Sequence, residues 1–202
     1  MLIDLLRHGE VEGKPCFRGH TDEPLSDVGR QQILSALDNY KTDVVISSPL
    51  KRCAEIANEW SKQNNIPLTE KNDFMEINFG DWDGLTPDEI KITHEEELNN
   101  FWNNPVQNTP PNGETLLDFQ TRVIRGWDSL IKDNKNKNIL LVTHGGVIRM
   151  IIAHVLSIPL EKLLSIESPL ASMSRIRISF DDQKNQYSSL VSHASNQVNE
   201  HD

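Results

Sequence analysis

The sequence predicts an α/β fold, a three-layer sandwich in which a mainly parallel sheet carries helices on both faces and a small cap is inserted. A short apolar run, cut off by a polar turn and followed by helical spacing, occurs three times, beginning at residues 2, 44 and 138. Repeated units of this kind join through right-handed crossovers, which makes the strands parallel and covers both faces of the sheet. The length of 202 residues suits one well-cored domain and is short for two. Residues 1–202 therefore read as a single domain, with a cap at about 83–113 and a frayed tail at about 192–202.

Each element has its own local reason. Residues 2–6 are apolar except for Asp4 and run directly into Arg7-His8-Gly9, a buried strand ending in a turn. In 26–40 a Ser26 cap precedes Ile33, Leu34 and Leu37 on one helical face. Residues 44–46 are β-branched and stop at Ser47-Ser48-Pro49, after which 50–64 reads as a helix. Between 83 and 113 the chain turns Glu-, Asn- and Pro-rich, with a helix from 87 to about 102 and a Pro110-Pro111-Asn112-Gly113 turn, read as a cap over the sheet's edge. Residues 115–131 resume an amphipathic helix with Leu116, Phe119, Val123, Trp127 and Leu130 near one face. The third strand, 138–143, is cut off by His144-Gly145-Gly146 and followed by an apolar helix over 147–156. Residues 175–180 alternate and pair with 187–191 as an edge hairpin.

Composition excludes several classes of function. A net charge of −10 with no Lys/Arg stripe repels nucleic acid and anionic lipid. The N-terminus lacks the tripartite order of a signal peptide, and no apolar run approaches the ~20 residues of a membrane span, so a cytoplasmic chain without membrane association is expected. Cys16 and Cys53 stand outside any zinc-ligand spacing and signal no disulfide framework; no metal is expected. The same negative charge would repel a small anionic substrate, so a phosphate site must gather its cations locally.

Such a gathering is visible at the strand ends, where parallel sheets bind ligands and helix N-termini offer free amides. Arg7 and His8 follow the first strand, Arg52 lies one turn into the helix after the second, and His144 follows the third. Arginine suits phosphate through its planar fork and permanent charge. A neutral imidazole with one nitrogen held by an acceptor is a nucleophile, and a second, protonated His would stabilise the equatorial oxygens. The leaving oxygen needs a proton, and Glu76, set among the aromatics of residues 74–84, is the candidate donor; Glu10, Glu12, Asp81 and Asp83 are the other carboxylates able to face the cleft. His20 lies in a loop adjoining this region, while His94, His154, His193 and His201 read as structural or exposed. Phe101-Trp102 reads first as the core-facing stripe of the cap helix and second as a surface for stacking substrate. The acidic run 95–97 reads as a solvated helix face.

These segments resemble the histidine phosphatase superfamily, also called the phosphoglycerate-mutase-like family, over nearly the whole chain. Leu5-Leu6-Arg7-His8-Gly9-Glu10 is similar to the nucleophile motif, 22–29 to the loop that follows, and Ser47-Ser48-Pro49-Leu50-Lys51-Arg52 to the second-arginine motif. Thr143-His144-Gly145-Gly146 completes the set. The resemblance implies His8 as nucleophile, Arg7, Arg52 and His144 as phosphate ligands, Glu76 as proton donor, and neither metal nor cofactor. Residues 17–22, 78–82 and 142–149 are most like the α-ribazole phosphatases. That implies hydrolysis of α-ribazole 5′-phosphate to α-ribazole and phosphate in cobalamin assembly. The alternatives are a broad-specificity small-metabolite phosphatase and, further off, a phosphoglycerate mutase or a non-catalytic phosphate-binding protein. Residues 83–113 carry Lys91 as their one Lys or Arg against Asp83, Asp88, Glu89, Glu95, Glu96 and Glu97, which weighs against a doubly anionic substrate. Where many members carry Thr and then Asn after the first motif, this chain has Val11-Glu12-Gly13-Lys14. The expected partner is a small phosphorylated metabolite, and a homodimer stands open.

Overall fold

Alternation along the strands decides which residue meets which helix. The computed structural model describes residues 1–195. Its strands are β1 (Leu2–Arg7), β2 (Val44–Ser47), β3 (Leu68–Glu70), β4 (Ile139–Thr143), β5 (Met173–Phe180) and β6 (Gln186–Ser195). They form one sheet in the order β3-β2-β4-β1-β5-β6. The first four positions are mutually parallel, and β5 and β6 close the far edge antiparallel. Ile3 and Leu5 of β1, Val44 and Ile46 of β2 and Ile139 and Leu141 of β4 point to one face, where they pack on α4 (Leu116–Asp133) and α5 (Gly145–Leu156). Leu6, Val45, Leu140 and Val142 point to the other, against α1 (Asp27–Ala36) and α2 (Lys51–Asn64). Each fully buried side chain of this size contributes about 1.5–3 kcal/mol, so these two clusters hold the three layers together.

The expected Ser26 cap forms, its Oγ accepting the Gly29 N–H, and Thr115 caps α4 by accepting the N–H of Asp118. Several elements differ from expectation. Helix α1 stops at Ala36 rather than 40, and the Tyr40 hydroxyl instead donates to buried Asp4, which also takes the Arg175 fork at 2.9 and 3.0 Å. That cluster is how β1 accommodates a carboxylate. Strand β3 is absent from the sequence reading because it is three residues long, at the sheet's edge, and exposes Thr69 and Glu70. Helix α5 begins at Gly145, two residues early, because the two glycines lie within its first turn and His144 is its N-cap. Strand β6 continues through 192–195 paired with β5, so the frayed tail does not start at 192; its remainder, 196–202, lies outside the described residues.

The cap builds a third apolar cluster of its own. Trp82, Ile90, Leu98 and Phe101 gather around Phe17. Helix α3 (Pro87–Asn103) starts with a reciprocal Thr86–Glu89 capping box and leaves helical geometry at His94. The expectation of a cover over the sheet's edge gives way to one over the strand ends, where Pro87 and Trp102 help line a cavity. Among the described residues no helix is long and apolar enough to cross a membrane.

Candidate active site

His8 directly follows β1 and is fixed on both sides by backbone. Its N–H donates to the Thr143 carbonyl at 2.9 Å, and its own carbonyl accepts the Ala171 N–H at 3.1 Å. The ring is 7% exposed. Its Nδ1 lies 2.8 Å from the Gly9 carbonyl. A carbonyl only accepts, so Nδ1 carries the hydrogen and Nε2 keeps its lone pair. Burial, followed by the Arg52 and Arg7 guanidiniums, outweighs the Gly9 carbonyl and pushes the ring's pKa down to about 3. His8 is thus a neutral imidazole held in one tautomer.

His144 caps α5 edge-on to His8, with ring centroids 5.3 Å apart. Arg52 Nε donates to its Nδ1 at 3.2 Å, so the proton sits on Nε2, which donates to Ser48 Oγ at 2.7 Å. Burial, then Arg52, His8 and Arg7, hold its pKa well below the usual value. The expectation of a protonated second histidine is corrected here, because an ammonium-like ring has no place between two guanidiniums in a buried site. Arg52 itself is fully buried. Its Nη1 donates to the Thr21 carbonyl at 2.8 Å, and Nη2 to those of Gly19 at 2.7 Å and Arg18 at 3.3 Å. That loop is shaped in turn by Asp83, whose carboxylate accepts the N–H groups of Gly19, His20 and Thr21 and the Thr21 hydroxyl. Burial opposes the charge on Asp83, but these donors, Thr21 foremost, outweigh it and hold its carboxyl below the usual range. Asp83 is therefore a loop anchor rather than a cleft carboxylate.

Glu76 reaches the same place from between α2 and the cap. Its Oε2 accepts the Gly146 N–H and its Oε1 the Ile77 N–H, both at 3.0 Å, and the first of these sets the carboxylate on a free amide in the first turn of α5. Gly146 is required for this approach, since a Cβ there would collide with Oε1. Arg122 of α4 holds the segment in register by donating to the carbonyls of Asp73, Met75 and Glu76 while pairing with Glu114.

Arg7, His8 and Glu76 line one cavity of about 900 Å³ at the carboxyl ends of the strands. Arg7 Nη1 donates to the Ser168 carbonyl, and its buried Nε has no hydrogen-bond partner among the described residues. An orphaned guanidinium donor in such a place calls for an anionic ligand. Arg52 and His144 stand behind this wall rather than on it, because the loop 18–21 and Ser48 take up their polar atoms. Glu10 and Glu12 line the rim, and Glu10 accepts from the Ser26 hydroxyl at 2.7 Å. Asp81 instead receives the Asn112 amide. Exposed His20 is held by Asp83 through its backbone.

Sequence reasoning passed over three side chains of the cavity wall. Arg149 lies one turn into α5; a Cβ placed on Gly145 would stand 3.3 Å from Arg7 Nε and 3.5 Å from Arg149 Nη1. Arg18 also lines it, paired with Glu23 at 3.1 Å. The third is Ser26, visible in the sequence only as a helix cap. The spacing His144…Arg149 on one helix was the available signal for Arg149. For Arg18 none precedes the folded loop. Phe101 is buried in the cap's cluster, as the first reading of that pair has it, but Trp102 lines the cavity half exposed.

The chain is similar to known proteins. The crystal structure of the α-ribazole phosphatase from Shigella flexneri superposes with a TM-score of 0.86 at 25% identity, covering 100% of both chains. Phosphoserine phosphatase 1 of Hydrogenobacter thermophilus is 28% identical over 179 residues, 86% of this chain and 85% of that protein. A 2,3-bisphosphoglycerate-dependent phosphoglycerate mutase of Bartonella quintana is 29% identical over 175 residues, 81% of this chain and 85% of that protein. The chain spans about half the length, 48%, of curated mycobacterial relatives that it matches at 31% identity. Residues 3–192 match the family model of the histidine phosphatase superfamily, branch 1. With the arginine–histidine pair at one strand end, the second histidine at the next and that match across almost the entire chain, this protein belongs to the histidine phosphatase superfamily.

Proposed function

We propose that this chain is a phosphatase that hydrolyses small phosphomonoesters through a phosphohistidine on His8, with α-ribazole 5′-phosphate as its substrate. The observation that carries the reaction is the neutral, single-tautomer His8 beside the partnerless Nε of Arg7. Nε2 attacks phosphorus in line with the ester oxygen; the N–P bond forms as the P–O bond breaks, and protonated Glu76 passes its proton to the departing alkoxide. The alcohol leaves and water takes its place. Glu76, now a carboxylate, accepts a proton from that water as its oxygen attacks phosphorus, and the N–P bond returns its electron pair to Nε2. Arg7 neutralises the equatorial oxygens. Arg52 stays charged behind the cavity wall, with His144 beside it, and its field favours the phosphate from there.

The substrate assignment rests on cavity size, wall chemistry and the Shigella relative. About 900 Å³ far exceeds a phosphate and suits a ligand of nucleoside size. The cap contributes Pro87 and Trp102 to the wall and no charge, since Lys91 pairs with Asp88 and Lys14 with Glu89 outside it. A second reading, a phosphatase of broader range that also takes carboxylated esters, is favoured by Arg149 and Arg18, two cations the cap-based charge argument leaves out. Turnover of α-ribazole 5′-phosphate, O-phosphoserine and 3-phosphoglycerate separates the two. Preference for the first by tenfold or more in kcat/KM is expected, and equal use of all three would overturn it. Acid-labile, base-stable phosphate trapped on the protein tests the mechanism; His8→Ala should lose it along with turnover, by about 10³-fold or more. A variant that keeps near-normal turnover would remove the covalent route.

A further inference from the structure

We propose that Trp102 is the specificity-determining residue of this site, a stacking platform for a flat, uncharged ring system carried by the alcohol half of the substrate. The inference deepens the α-ribazole reading and rests on it for the position of the phosphate. Three of the four tryptophans are core residues, with Trp60, Trp82 and Trp127 at 6%, 1% and 1% exposure, whereas Trp102 is 50% exposed. It lines the cavity that contains His8. The cap's core is complete without it: Phe17, Trp82, Ile90, Leu98 and Phe101 form the buried cluster, and Trp102 touches its rim through Phe17 at 5.6 Å and Phe101 at 5.4 Å. These edge and tilted contacts fix the indole on the end of α3, so a ligand ring meets a surface already ordered.

Apolar Phe79, Phe17 and Pro87 line the cavity together with Trp102, Arg18 belongs to the same lining with its charge paired to Glu23, and Arg7, Arg149 and Glu76 line it with His8. A phosphomonoester bound by its phosphate at His8 has its far end against this apolar wall. At that end a small polyol would leave the indole wet, and a planar heteroaromatic ring would cover it. Ring stacking on an aromatic side chain is worth about 1–3 kcal/mol, a factor of roughly 5 to 150 in affinity.

The test compares α-ribazole 5′-phosphate with ribose 5-phosphate, which has the same leaving oxygen and no ring. Trp102→Leu should raise KM for the first about tenfold with kcat within about twofold, leave the second unchanged, and be largely rescued in Trp102→Phe. Leu keeps the apolar contact with Phe17, so a folding defect would show as an equal loss on both esters, which overturns the proposal. So does an unchanged KM. A titration that needs no turnover separates this inference from the reading it rests on. Quenching of tryptophan fluorescence by adenosine 5′-monophosphate, lost in Trp102→Leu, upholds the platform even where α-ribazole 5′-phosphate is not hydrolysed. Efficient hydrolysis of that ester with a KM indifferent to Trp102 upholds the substrate and sinks the platform.

Discussion

Glu76 and His8 divide the proposed chemistry between a proton and an electron pair, and each is prepared by its backbone neighbours. The Gly9 carbonyl selects the His8 tautomer, and the Gly146 and Ile77 amides aim the Glu76 carboxylate. A proton donor matters most when the leaving oxygen is strongly basic. Glu76→Gln should therefore slow ribose 5-phosphate hydrolysis by about 10²-fold or more while sparing nitrophenyl phosphate. Gln keeps an oxygen for one of the two N–H groups and sets its NH2 against the other, so an unchanged Tm is the accompanying check that the site keeps its shape. Equal losses on both esters would mean that Glu76 places water or phosphate instead. Glu10 at the rim would then be the donor to examine, since Asp81 and Asp83 are engaged elsewhere.

At the level of elements, the loop 18–21 links the cap to the floor of the site. Asp83, where the cap begins, gathers the loop's amides; the loop's carbonyls grip Arg52; and Arg52 sets the His144 tautomer. Charge-assisted hydrogen bonds of this kind are worth about 1.5–3 kcal/mol each when buried. Removing the anchor frees the carbonyls that hold the guanidinium. Asp83→Ala is expected to weaken binding of inorganic phosphate about tenfold in a calorimetric titration, beyond any fall in Tm. A lower Tm with unchanged phosphate affinity would reduce Asp83 to a folding role. Arg122 does for the Glu76 segment what Asp83 does for the loop, from the polar side of a helix whose apolar face looks entirely structural in sequence.

Over the whole molecule, keeping His8 and His144 neutral inside a fold makes stability depend on acid. In the unfolded chain His8 titrates near 6.5; in the folded one it takes up its proton only near pH 3. Below 6.5 the unfolded state therefore binds more protons, and stability is lost as pH falls from about 6.5 toward 3, by an amount on the order of a few kcal/mol. Urea unfolding at pH 7, 5.5 and 4.5 should show a shallower loss for His8→Asn than for the natural chain. Parallel curves would mean that carboxylates alone set the acid limit.

The local sequence was enough to determine that this chain forms strand–turn–helix units and that Arg7, His8, Arg52 and His144 stand near strand ends, because apolar periodicity and turn residues act over a few neighbours. The hairpin at the far edge was legible for the same reason, and β3 was not, being too short and too exposed to show a period. Tertiary structure alone decided what those residues do to one another. Glu76 owes its seat to Gly146 and Arg122, dozens of residues away in the chain. Arg52 was legible as a cation, but only the folded loop turns it inward, and only burial, with Arg52 and Arg7 adding to it, makes His144 neutral. Trp102 and Phe101 are adjacent in sequence, yet one fills the cap and the other faces the cavity. Burial, charge neighbours and the direction of a side chain depend on contacts between distant segments, and those come into being only when the chain closes on itself.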